Sequence, residues 1–169
     1  MRHVVVIVLA VGVLASIVAG QGLASGPLEG VWKSEEVVIG TGSTGEAQTG
    51  LYIFTRSHYG FMNVVGSDAR RFFAAPNGPT NDEKIAAYDT FSGSSGKYEV
   101  SGSTLTIIPI VAKSPNFMVG GSQRFQFQIE QNTLWLTTSG GTSLFNGVRV
   151  LQGPTPASPT RRRLTRIGD

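Results

Sequence analysis

The chain has 169 residues, a formal net charge of +3, 22 glycines and no cysteine. Without a thiol there are no disulfides, no thiolate chemistry and no acylated lipoprotein cysteine. The basic excess sits at the ends, in Arg2 and in Arg161, Arg162, Arg163 and Arg166; Ser25 to Leu151 is close to neutral, which argues against a nucleic-acid-binding face.

Met1-Arg2-His3 precedes an uncharged run from Val4 to Ala19, followed by small residues at Gly20, Gly22 and Ala24. A short basic head, an apolar stretch and small residues predict a secretory signal over residues 1–24, with cleavage after Gly20 or Ala24. The alternative is an uncleaved membrane anchor, for which the apolar run is short against the roughly 20 residues of a bilayer span. The expected location is therefore exported, in the periplasm or outside the cell.

Residues 25–151 read as one β-rich domain. Strands are predicted over Val31–Ile39, Leu51–Arg56, Tyr59–Val65, Lys97–Val100, Ser103–Val111, Ser122–Glu130, Thr133–Thr138 and Ser143–Leu151. The clearest signal is Gln123–Thr138. There Phe125, Phe127 and Ile129, then Leu134 and Leu136, alternate with polar residues about a tight Gln131-Asn132 turn. A period of two puts the apolar side chains on one face of an antiparallel hairpin. Gly40–Gly50 reads as a flexible loop, Ser67–Pro79 as irregular, and Ser139-Gly140-Gly141 as a turn. Pro109 cannot donate to a ladder and marks an edge or a bulge. Thr80 predicts a helix N-cap, with Glu83 completing a capping box and the helix running through Tyr88 until Ser92–Gly96 stops it. About eight strands in up-and-down order predict a mainly β fold, an antiparallel β-barrel with one short helix and an interior able to admit a small ligand. Residues 152–169, rich in Pro and then Arg, read as a disordered tail, with weak contact to an anionic envelope surface as its functional reading.

Several motifs together resemble the bacterial lipocalin-like domain family of calycin-type barrels. Leu28-Glu29-Gly30-Val31-Trp32-Lys33 is similar to the Gly-x-Trp opening of calycins. Gly50-Leu51-Tyr52-Ile53-Phe54, Gly60-Phe61-Met62, Glu83–Tyr88, Gly96-Lys97-Tyr98-Glu99-Val100, Ser114–Gly120, Arg124-Phe125 and Leu134-Trp135-Leu136-Thr137 follow in the family's order. The resemblance implies a barrel with a ligand cavity. Where such domains often place a His-bearing strand before the Pro-Asn loop, this chain has Ile107-Ile108-Pro109-Ile110, so proton transfer by such a His has no counterpart here.

The resemblance also implies that Trp32 closes the barrel base beneath a basic side chain from a late strand, Arg124 or Arg149. A buried guanidinium needs an anionic or carbonyl partner. Arg124 is thus a candidate for a ligand carboxylate, or for an internal Glu35, Glu36 or Glu99. Tyr52, Tyr59, Tyr98 and Phe54 are candidate pocket residues, the phenols orienting a mainly apolar ligand or simply packing with their hydroxyls satisfied. Tyr88 belongs to the same set of phenols. His58 falls in a turn with no placed carboxylate partner. One such His, no Cys and no acidic cluster at ligand spacing give no metal site, and no cofactor motif is present: Gly40–Gly45 lacks the Gly-Lys-Ser/Thr ending of a phosphate loop. No nucleophile elbow occurs, since Gly93-Ser94-Ser95-Gly96 has the wrong spacing.

The expected function is binding of a small hydrophobic molecule in a hollow lined mainly by hydrocarbon. Its mouth would be framed by Gly40–Gly50 and Ser67–Pro79. Two other readings stay open: a barrel enzyme that isomerises, cyclises or hydrates a lipophilic substrate, and a structural or surface-interaction module working through the Arg-rich tail.

Overall fold

A computed structural model describes residues 26–40, 43–46, 49–66, 69–75, 78–145, 148–152 and 159–169. The signal segment 1–24 lies outside the described residues. In chain order the elements are β1 (Gly30–Ile39), β2 (Ser43–Glu46), β3 (Gly50–Phe54), β4 (His58–Val64), α1 (Asn81–Asp89), β5 (Phe91–Ser101), β6 (Thr104–Ala112), α2 (Pro115–Met118), β7 (Ser122–Glu130), β8 (Thr133–Phe145), β9 (Val148–Gln152) and β10 (Thr160–Gly168).

The strands close into an antiparallel barrel of 8, with β10 pairing β1 on one side and β8 on the other. The ring order is β1, β3, β4, β5, β6, β7, β8, β10; β2 pairs only with β1 and β9 only with β8. Tight turns after β3, β5 and β7 gather at one end, the base. The long connections carrying α1 and α2 gather at the other, the mouth.

The ring corrects the expected ending of the domain. Thr160–Gly168 is the closing strand, not a disordered tail; residues 153–158 lie outside the described residues. Its arginines are distributed over both faces. Arg163 bonds Glu36 at 3.0 Å on the outside, Arg161 lies over the Trp135 ring, and Leu164 is fully buried inside.

Other boundaries shift for local reasons. Ser92–Gly96, expected to end the helix, is the first half of β5. The close approach of β6 demands a glycine at one of these positions: a Cβ at Gly96 would overlap Ile108 O and lie 2.7 Å from Ile110 N. Ser139–Gly141, expected as a turn, continues β8, with Gly140 at φ 139°. A register shift against β7 lets β8 bend from its β10 pairing to its β9 pairing. Part of the Gly40–Gly50 loop is strand β2; residues 41, 42, 47 and 48 lie outside the described residues. Pro109 sits at a bulge opposite Gly96, where β6 has already lost its pairing with β7. The Thr80–Glu83 capping box forms in full, with Thr80 Oγ1 accepting from Glu83 N–H at 3.3 Å.

The lower half of the interior is packed with hydrocarbon. Trp32, Leu28, Leu105, Leu134, Leu136 and Leu164 are each under 2% exposed. Trp32 donates its indole N–H to Leu28 O at 2.8 Å, so the lead-in to β1 plugs the base. The guanidinium over Trp32 belongs to Arg166, 4.2 Å from the ring centre, rather than to Arg124 or Arg149.

Candidate functional site

The upper half of the barrel is open. A cavity of about 620 Å³ lies at the mouth, bounded by the upper parts of β4 to β8, the end of α1 and the α2 connection. One part of its wall is aromatic, from Phe61, Tyr88, Phe91 and Phe117. The other is hydroxyl and amide, from Ser94, Ser122, Gln123, Thr138 and Ser143. The wall is therefore mixed, not mainly hydrocarbon. Among the described residues the frame is Tyr88 and Asp89 of α1 with Lys113, Ser114, Asn116 and Phe117; much of the frame expected from Gly40–Gly50 and Ser67–Pro79 (residues 41, 42, 47, 48, 67, 68, 76 and 77) lies outside the described residues.

The physical reason for a polar upper wall lies in strand sequence. The inward positions of β5 above Tyr98 are Gly96, filled by the β6 backbone, and Ser94, which leaves space where a longer side chain would fill it. On β7 the inward apolar series stops at Phe125, and Gln123 takes the next level. Lys113 is tied down at the rim. Its ammonium donates to Tyr88 O and Phe91 O and lies 3.9 Å from the Tyr88 ring centre.

Beneath the cavity, Phe61 stacks on Tyr52 at 5.3 Å and on Tyr59 at 6.2 Å. Tyr59 Oη shares a hydrogen bond with Ser94 Oγ at 2.9 Å, and Asn63 Nδ2 donates to Tyr52 Oη at 2.8 Å. Burial raises the pKa of both phenols. The Arg162 charge and the Asn63 bond oppose that rise at Tyr52, and the Ser94 bond opposes it at Tyr59. Both therefore keep their phenolic proton at neutral pH.

Of the expected site residues, Tyr52 and Tyr59 are inward and buried one layer below the cavity. Phe54 and Tyr98 lie nearer the base, edge to face at 5.4 Å, and Tyr98 donates to Thr55 O at 2.7 Å in the β3–β4 turn. Burial, then the charge of Glu29, raises the Tyr98 pKa. Arg124 is on the outer face, because the inward positions beside it belong to Phe125 and Gln123. Arg149 is exposed on β9, outside the ring. His58 is exposed in its turn, with Nδ1 2.9 Å from Ser57 Oγ.

The expected set missed the serine-rich wall and the inward arginine, Arg162. Arg162 is cross-strand from Leu136 and two positions from Leu164, both buried in the core, which places it on the inner face. A wider surface hollow of about 790 Å³ lies outside the barrel between residues 69–73 and α1. Its walls include Phe72, which is wholly exposed. The mouth cavity has the better defined walls, since paired strands hold them. Among the described residues, no group of three or more His, Asp or Glu side chains is placed to hold a metal ion.

The lipocalin-like domain family matches residues 30–148. The chain is similar to the crystal structure of an uncharacterized protein from Bacteroides eggerthii DSM 20697, at 10% identity and TM-score 0.45, over 83% of this chain and 99% of that one. It is also similar to a lipocalin-like protein from Bacteroides uniformis ATCC 8492, at 13% identity and TM-score 0.42, over 84% and 100% of the two chains. No curated protein matches it.

Proposed function

The chain belongs to the lipocalin-like domain family, and from that premise we propose that it is a carrier that takes a small, largely apolar ligand into the barrel mouth. The observation that supports this is the cavity of about 620 Å³, open to solvent above and closed below by the packed base. Its volume suits a small molecule. Its aromatic side suits a flat or aliphatic body, and its serine and glutamine side suits one or two hydrogen-bonding groups on that body.

Magnitudes make the polar side matter. Burying roughly 200 Å² of ligand hydrocarbon favours binding by about 5 kcal/mol. Lost rigid-body freedom opposes it by an estimated 4 kcal/mol or more. Affinity then depends on polar contacts that a purely hydrocarbon ligand cannot make. An exported location belongs to the same proposal, resting on Arg2 and the uncharged Val4–Ala19 run. N-terminal sequencing of the protein from extracellular, periplasmic and membrane fractions tests it.

The carrier reading is tested by thermal unfolding with fatty acids, fatty alcohols, retinoids and haem. A ligand at a hundredfold excess over its Kd stabilises the fold by about 2.7 kcal/mol, which for a domain of this size raises Tm by on the order of 10 °C. Thr138→Phe, which fills the cavity from β8, is expected to abolish that rise. A panel in which nothing shifts Tm, or a shift that survives Thr138→Phe, counts against binding at the mouth.

A further inference from the structure

Across the barrel from the serine-rich wall, the upper interior carries a second polar group. Ser34 and Asn63 are 3% and 4% exposed, and Ser34 Oγ and Asn63 Oδ1 have no hydrogen-bond partner among the described residues. They come together because β3 opens on a glycine. A Cβ at Gly50 would overlap Asn63 Oδ1 and lie 3.1 Å from Ser34 Cβ. Asn63 donates to Tyr52 Oη, so the phenolic hydrogen is left for another acceptor. Arg162 faces the same interior from β10, close enough for its charge to act on the Tyr52 hydroxyl.

Buried polar atoms without partners call for an explanation, and the half-buried Arg162 brings a cation to the same inner face. The neighbouring acid does not pair with it. Glu36 is on the outer face and bonded to Arg163. Among the described residues no ion pair includes Arg162. Phe61 is the boundary between this group and the cavity, since it lines the cavity and stacks on Tyr52.

We propose that Arg162, Tyr52, Ser34 and Asn63 form the head-group site of the carrier, and that the head group is a carboxylate. This deepens the carrier reading and rests on it. Arg162 offers a planar N–H fork matched to a carboxylate, and the Tyr52 and Ser34 hydroxyls add neutral donors. Asn63 is a positioning residue: by donating to Tyr52 Oη it leaves that hydroxyl to donate onward. The guanidinium with the Tyr52 and Ser34 hydroxyls balances a monoanion and under-neutralises a dianion such as a phosphate monoester; Asn63 Oδ1, an acceptor, is not a partner of the carboxylate. The tail of the ligand runs past Phe61 into the mouth cavity, where Asp89 at the rim is the one carboxylate among the described lining residues.

The test uses octanoate and 1-octanol, which share a tail and differ in head group, with the full-length chain in titration calorimetry. Wild type is expected to bind octanoate at least tenfold more tightly than octanol. Arg162→Gln is expected to weaken octanoate at least tenfold and to leave octanol within twofold. Arg162→Lys keeps the charge and loses the fork, so its octanoate affinity falls between the two. It decides the matter if Arg162→Gln does not fold. Octanoate affinity unchanged in either variant overturns the head-group site. Octanol binding with octanoate refused overturns the carboxylate and leaves the carrier reading standing. Binding of neither probe overturns the head-group site, and the separate ligand panel then decides the carrier reading alone.

Discussion

Arg166 and Arg161 each lie over an indole, and they hold very different things. Arg161 is exposed, 3.8 Å from the Trp135 ring centre on the outer wall. Arg166 covers the fully buried Trp32 and also donates to Glu29 O and to Pro27 O, binding the lead-in segment under the barrel. An exposed cation–π contact is worth about 0.5 kcal/mol, whereas charge-assisted hydrogen bonds in a sheltered place contribute about 2 kcal/mol. Arg161→Ala is therefore expected to lower stability by about 0.5 kcal/mol and Arg166→Ala by about 2 to 3 kcal/mol, read as urea midpoints. Arg166→Lys restores less than half, because an ammonium cannot lie flat on the ring while reaching two carbonyls. Equal losses for the two alanine variants would show that Arg166 does not anchor the base. At the other end of the molecule Glu83 accepts from Ala74 N–H at 2.8 Å and from Thr80 N–H at 2.7 Å, and these bonds lower its pKa. A depressed carboxylate stabilises the fold above its unfolded pKa of about 4.3 and loses that contribution as pH falls through the folded value. The first turn of α1 is thus expected to fray only below the ordinary glutamate range. Amide shifts of Ala74 and Thr80 followed by NMR report it, and Glu83→Gln removes the transition; a midpoint at or above the ordinary value would contradict the capping role.

Closure of the barrel depends on β10. It pairs Trp32 to Ile39 of β1 along one edge and Thr133 to Thr137 of β8 along the other, and it contributes Leu164 to the core. Ending the chain after Gln152 leaves both edges bare and removes the cover of Trp32. The truncated protein is expected to lose its cooperative unfolding transition and to aggregate through the open edges, seen by size-exclusion chromatography and by flattened thermal melts. A monomer with wild-type melting would mean that β10 is dispensable. That strand was the least legible part of the sequence, for a physical reason. Alternation reads out a half-buried strand only when one face is apolar. Thr160–Gly168 puts arginine on both faces, one stacked, one paired outside, one turned inward and one at the base. Ser92–Gly96 was hidden in the opposite way, since Ser and Gly there answer to backbone proximity and empty space rather than to strand propensity. The hairpin of Phe125 to Leu136 and the Thr80–Glu83 cap were legible because each carries its own local cause, an oily face in one and a side-chain-to-backbone bond in the other. Tyr52 and Tyr59 could be named as candidates, but the face and layer they occupy depend on register between β3, β4 and β5, which no local pattern contains.

As a whole, the molecule is a barrel whose two halves answer to different demands. The base, from Leu28 to Leu164, is close-packed hydrocarbon with the indole of Trp32 satisfied by Leu28 O, and it carries the stability. The mouth is lined by Ser94, Gln123, Thr138 and Ser143 around open volume, and it is the half that opens to solvent. The division predicts opposite responses to substitution. Leu105 and Leu134 are 0% exposed, so Leu105→Ala or Leu134→Ala leaves a void and is expected to cost about 3 kcal/mol. Thr138 faces the cavity, where added methylenes have room, so Thr138→Leu is expected to change stability by no more than about 0.5 kcal/mol while reducing ligand binding. Urea unfolding of the same variants, with and without ligand, separates the two effects. A base variant should shift the unfolding midpoint in both conditions and keep its ligand-induced gain, since the cavity wall is untouched. A mouth variant should keep the midpoint and lose the gain. If Thr138→Leu destabilised the apo protein as much as Leu105→Ala does, the upper interior would be packed core rather than a receiving site, and the division of labour between the two ends would fail with it.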